Sequence, residues 1–150
     1  MRYHCSYGRK IKELEEKLKI HRMICRDKSC RHTDAILPDF LIPHKQYSAN
    51  EVEAVLLDSD SAPVEEIDTP ASISTARRWI RQIGKKISEW FNELKSYAKK
   101  ETSDAQFKYM PHMERLSLLL EKLPPIRNNG NVLSAALVYL TKYRQETNLT

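Results

Sequence analysis

A mainly α-helical protein is predicted, with a small β-hairpin at the N-terminus, a helix-turn-helix in the middle and a helical hairpin at the C-terminus. Three observations predict it. Apolar residues recur at helical spacing from Trp79 to Leu94. The stretch Lys17 to Ile24 alternates as a strand does, just ahead of a cysteine pair. Two further apolar helical runs are separated by Pro124-Pro125, which neither run can cross. The 150 residues suffice for one domain or two small ones. The expected divisions are 1–47, 48–100 and 101–150.

The first segment fits two periods, since Ile11, Leu14 and Leu18 share a helical face while Leu18, Ile20, Arg22 and Ile24 alternate. Lys17 to Ile24 reads as a strand feeding a knuckle at Cys25–Cys30, with Thr33 to Leu37 returning as its partner. Leu37-Pro38-Asp39-Phe40-Leu41-Ile42-Pro43 cannot be regular helix, because each proline lacks an N–H and pushes the residue before it toward extended geometry. It is a connector with apolar side chains to bury.

Ser48-Ala49-Asn50-Glu51 has capping-box spacing and should open a helix with Val52, Val55 and Leu56 on its apolar face. The Asp58-Ser59-Asp60-Ser61 cluster should end it. Pro63 suits the first turn of a short second helix reaching Ile67. From Ser72 onward Trp79, Ile80, Ile83, Ile87, Trp90, Phe91 and Leu94 mark one continuous inner face of a long third helix. Glu101 to Asp104 reads as a linker. Pro111 should open a helix through Leu123, and a turn at Asn128 to Asn131 should lead, with Asn131 as cap, into a last helix, Val132 to Arg144. That helix is apolar on most sides, so it must be covered by Leu116 to Leu123 or by a second chain, which would make a homodimer through the C-terminal helices.

No run approaches the roughly 18 apolar residues of a membrane span, and Met1 to Lys10 is too polar for a signal peptide. A cytoplasmic protein with reduced thiols at Cys5, Cys25 and Cys30 is expected. Charge is segregated: residues 47–75 hold seven acids and no Lys or Arg, whereas residues 76–100 hold eight basic residues against two acids. Residues 1–46 are also basic, eleven against six. Such alternation suits a protein that meets phosphate with particular faces; plain solvated helix surface is the competing explanation.

Capped helix, short helix, turn and long basic helix have the layout of a helix-turn-helix. With the apolar residues inward, Ser74, Thr75, Arg77, Arg78, Arg81, Gln82 and Lys85 fall on or beside the outer face. The set carries the chemistry that duplex DNA requires: Arg for guanine, Gln for adenine, hydroxyls for phosphate or either base. Trp79 belongs to the core. Double-stranded DNA is therefore the expected partner, with a helical protein–protein interaction module as the alternative. Catalysis is not expected, because the acids of residues 47–75 sit on short capped helices and no nucleophile elbow or phosphate loop is present.

Cys25 and Cys30 have a spacing compatible with a zinc knuckle, but a structural site takes four ligands, and His4, Cys5, His21 and His32 are the other candidates nearby. Two reduced thiols beside a turn is the bland alternative. The run Ile20 to Ser48, above all Leu37-Pro-Asp-Phe-Leu-Ile-Pro-His-Lys-Gln-Tyr47, resembles a bacterial family of mobile-element-associated proteins of undefined function. In that family a transposase-like zinc ribbon precedes such a segment and a helical region follows. The resemblance implies a zinc-ribbon-like remnant at the N-terminus and zinc as cofactor. Its upstream cysteine pair would lie before Met1, so the chain reads as N-terminally shortened. Carried over residue by residue, only Cys25 and Cys30 match ligand positions, which is half of such a site. The setting implied is an accessory or regulatory protein of a mobile element.

Overall fold

The structure is a computed structural model describing residues 1–98, 107–124 and 131–147. The linker expected at Glu101 to Asp104 and the turn expected at Asn128 to Gly130 lie outside these residues. The chain forms two compact units, Met1–Ser48 and Ala49–Thr150. Residues expected as a helix-turn-helix and as a C-terminal helical pair thus share one unit.

The first unit is a three-stranded antiparallel sheet, β1 (Arg2–Arg9), β2 (Leu18–Ile24) and β3 (Thr33–Ile36), in that spatial order. The expected pairing of β2 with β3 forms, from Ile24 opposite Thr33 to His21 opposite Ile36. Where a two-stranded hairpin is expected, β1 adds a third strand. β1 runs along β2 from Arg9 opposite Leu18 to Arg2 opposite Ile24, with an irregularity between Tyr3 and Cys5. Its side chains are exposed or half-buried, so what fixes it is the backbone ladder rather than an apolar face. The connector packs back on the sheet as its apolar residues require: Leu41 joins Ile11 and Ile20 in the core, with Leu18, Leu37 and Phe40 against them. Glu13 fastens the connector's far end by accepting from the backbone N–H and the hydroxyl of Ser48, both at 2.8 Å.

The second unit has four α-helices among its described residues: α1 (Ala49–Asp58), α2 (Ile73–Tyr97), α3 (His112–Glu121) and α4 (Val132–Thr147). The short second helix expected at Pro63 to Ile67 is a single 3-10 turn, Val64–Glu66. Ile67 is already extended, and Pro70 biases Thr69 the same way, so no room is left for a second turn. The chain between α1 and α2 is held by Thr69, whose hydroxyl donates to Glu51 of α1 and accepts from the N–H of Ala71.

α2 is the axis of this unit and packs against α1, α3 and α4. Trp79, Ile83, Ile87, Phe91 and Leu94 are buried along it, with Ile80 and Trp90 half-buried at the margins. Phe91 meets Phe107 edge to face at 5.1 Å. α4 is covered within the unit: Leu133, Ala136 and Leu140 are buried against α1, α2 and α3. Asn131 caps α4 as expected, accepting from Ser134 N–H at 2.9 Å, and its amide donates to Asn50 of α1 at 3.1 Å. Glu53 of α1 accepts from Leu133 N–H at 3.0 Å, a carboxylate at a helix N-terminus. Partial burial nevertheless holds the Glu53 carboxyl above the usual range, against the pull of the Leu133 and Val132 N–H groups.

Candidate nucleic-acid interface

Ser72 is the N-cap of α2, accepting from the N–H of Thr75 at 3.3 Å. Its hydroxyl also meets Ser74 Oγ at 3.1 Å and donates to Thr75 Oγ1 at 2.9 Å, so three hydroxyls cluster at the helix start. No acidic residue lies in the first turn. With the backbone N–H groups there, they make an end that is positive in potential and rich in donors.

Beyond this end the outer face of α2 is laid out as the periodicity required. Ser74, Arg77, Arg78, Arg81, Gln82 and Lys85 are exposed, and Thr75 is half-buried beside the cap. Trp79 and Ile83, interleaved with them in sequence, are 2% and 3% exposed on the opposite side. That opposition points the guanidinium groups outward together. Residues 69–88 contain no acid, and the cationic stretch stops at Glu89. Arg77 is ion-paired with Glu65 of the 3-10 turn, whose carboxyl is held below its usual range by its own backbone N–H and then by the Arg77 guanidinium. Both side chains are largely exposed, 62% and 49%, so the pair is of the weak surface kind that a stronger anion displaces.

Cys25 and Cys30 close a turn in the first unit. Cys25 N–H donates to His32 O at 2.9 Å, Cys30 N–H to Asp27 O at 3.2 Å, and Asp27 Oδ1 accepts from both the N–H and the hydroxyl of Ser29. Arg31 follows with φ of 47°. The Asp27 N–H and the Cys30 thiol hold the Cys25 thiol below its usual pKa, a setting that favours thiolate. The other candidates are placed apart in role: His32 is bonded to Asp34 at 3.0 Å and His21 packs edge to face on Tyr3. Among the described residues no group of three or more His, Cys, Asp or Glu converges. A structural zinc takes four ligands, of which Cys25 and Cys30 would be two; no complete set is built from the described residues.

Sequence reasoning missed a second basic feature. Arg9 of β1, Arg22 of β2 and His44 of the connector line one cleft in the first unit. They are contributed by separate elements, so no local spacing announces them.

Among the described residues, no helix is long and apolar enough to cross a membrane. Residues 1–79 match the family model of a domain of unknown function, DUF6431. The match takes in the whole first unit, α1 and the first turns of α2 with Arg77 and Arg78, and stops short of Arg81, Gln82 and Lys85. No curated protein and no solved structure matches the chain.

Proposed function

The chain belongs to the DUF6431 family, and we propose that it binds duplex DNA through the exposed N-terminal half of α2, acting by contact rather than by catalysis. The observation that carries the reading is the opposition on α2: Arg77, Arg78, Arg81 and Lys85 exposed on one side, Trp79, Ile83 and Ile87 buried on the other, with no acid between. The stretch from Ser74 to Lys85 spans roughly 17 Å at 1.5 Å per residue, long enough to lie along a major groove roughly 12 Å wide. Its chemistry divides in the usual way. Ser74, Thr75, the helix end and the four cations suit phosphate, while Gln82 suits a base edge. The likeness of residues 20–48 to mobile-element-associated proteins supports an accessory or regulatory role on such an element.

Four cations meeting phosphates give an expected slope of log K against log salt of about −3.6. Mobility shift on duplex DNA across a salt series tests this. Arg78→Ala with Arg81→Ala, both exposed and therefore harmless to the core, should weaken binding by roughly ten- to hundredfold and bring the slope to about −1.8. Affinity and slope unchanged by the double substitution would overturn the reading.

A further inference from the structure

Arg22 lies at the centre of the sheet, opposite Cys5 on β1 and Ala35 on β3. Its Nη2 donates to Thr33 Oγ1 at 2.7 Å, yet its Nε is buried without a hydrogen-bond partner, the one such side-chain atom among the described residues. A charged donor withdrawn from water and left unmatched is costly, so it needs a reason. Arg22 and Arg9 line a cleft of about 610 Å³ between the sheet and the connector. Arg9 is spent on neutral carbonyls, those of Ile42 and Lys45, and among the described residues neither guanidinium is paired with a carboxylate. The acid on the rim, Asp34, is bonded to His32. Two arginines against one carboxylate leave the lining net positive.

The rim carries a second anomaly. Lys45 N–H donates to Ile42 O at 3.2 Å and His44 has φ of 62°, the geometry of a turn whose third position favours glycine. A histidine is held there instead, and it lines the cleft. Strained backbone of this kind concentrates where side chains must be aimed at a ligand. A neighbouring groove of about 350 Å³ shares Tyr7, Arg9 and His44 and adds Lys10 and Lys45, which extends the basic lining.

We propose that this cleft binds a phosphate group, anchored by Arg22 and flanked by Arg9, His44 and Tyr7. Phosphate matches the donors better than a single neutral acceptor does, because it offers several charged oxygens to a fork of N–H groups. The bound group belongs either to a small phosphate-bearing ligand or to the backbone of a nucleic acid. The inference stands apart from the α2 reading and uses none of its residues.

The test is titration of the full ¹⁵N-labelled chain with inorganic phosphate, observing the Arg22 Nε–H and the backbone amides of Tyr7, Ala35 and His44. Saturable shifts at these groups are expected. Arg22→Met should weaken phosphate binding by roughly ten- to hundredfold, and Arg22→Lys, which keeps the charge and loses the fork, should fall between. Removing an unmatched buried guanidinium should leave the melting temperature in phosphate-free buffer unchanged or higher. A phosphodiester oligonucleotide separates the sources: parallel loss of its affinity in Arg22→Met assigns the site to a nucleic-acid backbone, and unaltered affinity assigns it to a small ligand. The proposal is overturned by absent or non-saturable shifts, by wild-type phosphate affinity in Arg22→Lys, or by collapse of the sheet signals in Arg22→Met, which would make Arg22 a structural residue.

Discussion

Two parts of this molecule are basic to a similar degree, yet they present their arginines in opposite ways. On α2 the surface is convex: Arg77, Arg78 and Arg81 stand in the open on a helix whose other side is packed against the rest of its unit. In the first unit the surface is concave: Arg9 and Arg22 are half-buried in a cleft, tied to carbonyls and a hydroxyl. A convex row in water meets a long polyanion at many weak points, each screened by salt. A concave, partly desolvated pair meets one compact anion at few strong points. Net charge along the chain is the same kind of number in both places; local dielectric and curvature decide what it is for.

That contrast can be broken most severely at Trp79. Its side chain is what turns the α2 arginines outward, and Trp79→Ala should cost the second unit roughly 3–5 kcal/mol, read as an earlier helical unfolding midpoint in urea. DNA affinity should fall with it, whereas phosphate shifts at the cleft should persist. A stable variant with intact DNA affinity would mean that Trp79 does not set the face.

A smaller change sharpens the convex side. A methyl group at Gly84 would meet nothing within 4 Å, so this mid-helix glycine is not there to permit close packing. Gly84→Ala should stabilise by about 0.5–1 kcal/mol and leave the cationic row untouched. Thermal unfolding followed by circular dichroism measures it, and a loss of stability would show that α2 needs the local freedom.

The smallest expected effect concerns the scaffold behind that row. The Glu53 carboxyl is held above its usual range, so the folded chain binds more protons there than the unfolded one. Its contribution is present below the ordinary carboxylate range and is lost as pH rises through the raised value. Glu53→Gln keeps an acceptor for Leu133 N–H and removes the partly desolvated charge. Relative to wild type, the variant should therefore gain a few tenths of a kcal/mol between about pH 4 and about pH 7. Urea unfolding at both values checks it; a difference that shrinks with rising pH would reverse the sign.

Much of this organisation could be read before any coordinates. The inner face of α2 was legible because burial on a helix repeats every three to four residues, and Trp79, Ile83, Ile87, Phe91 and Leu94 keep that beat. The β2 and β3 pairing was legible from alternation and from the turn between them. β1 was not, because Tyr3-His4-Cys5-Ser6-Tyr7-Gly8 lacks an apolar face, and its order comes from backbone pairing that composition does not encode. The helix expected at Pro63 to Ile67 failed because a good opening residue says nothing of how soon the next extended pair arrives. The α2 candidate residues lie on one element, so their exposure followed from its period. The Arg22 cleft draws on three strands and a connector, and only tertiary folding brings those together.

The junction of α1 with α4 bears on how the second unit assembles. Glu53 meets Leu133 and Asn50 meets Asn131 across 80 and 81 residues of chain. Closing a loop of that length costs entropy before any contact rewards it, so α4 should dock in the rate-limiting step while each helix can already flicker in isolation. Substitutions at this seam should then slow refolding, whereas those on the outer row of α2 leave the kinetics alone.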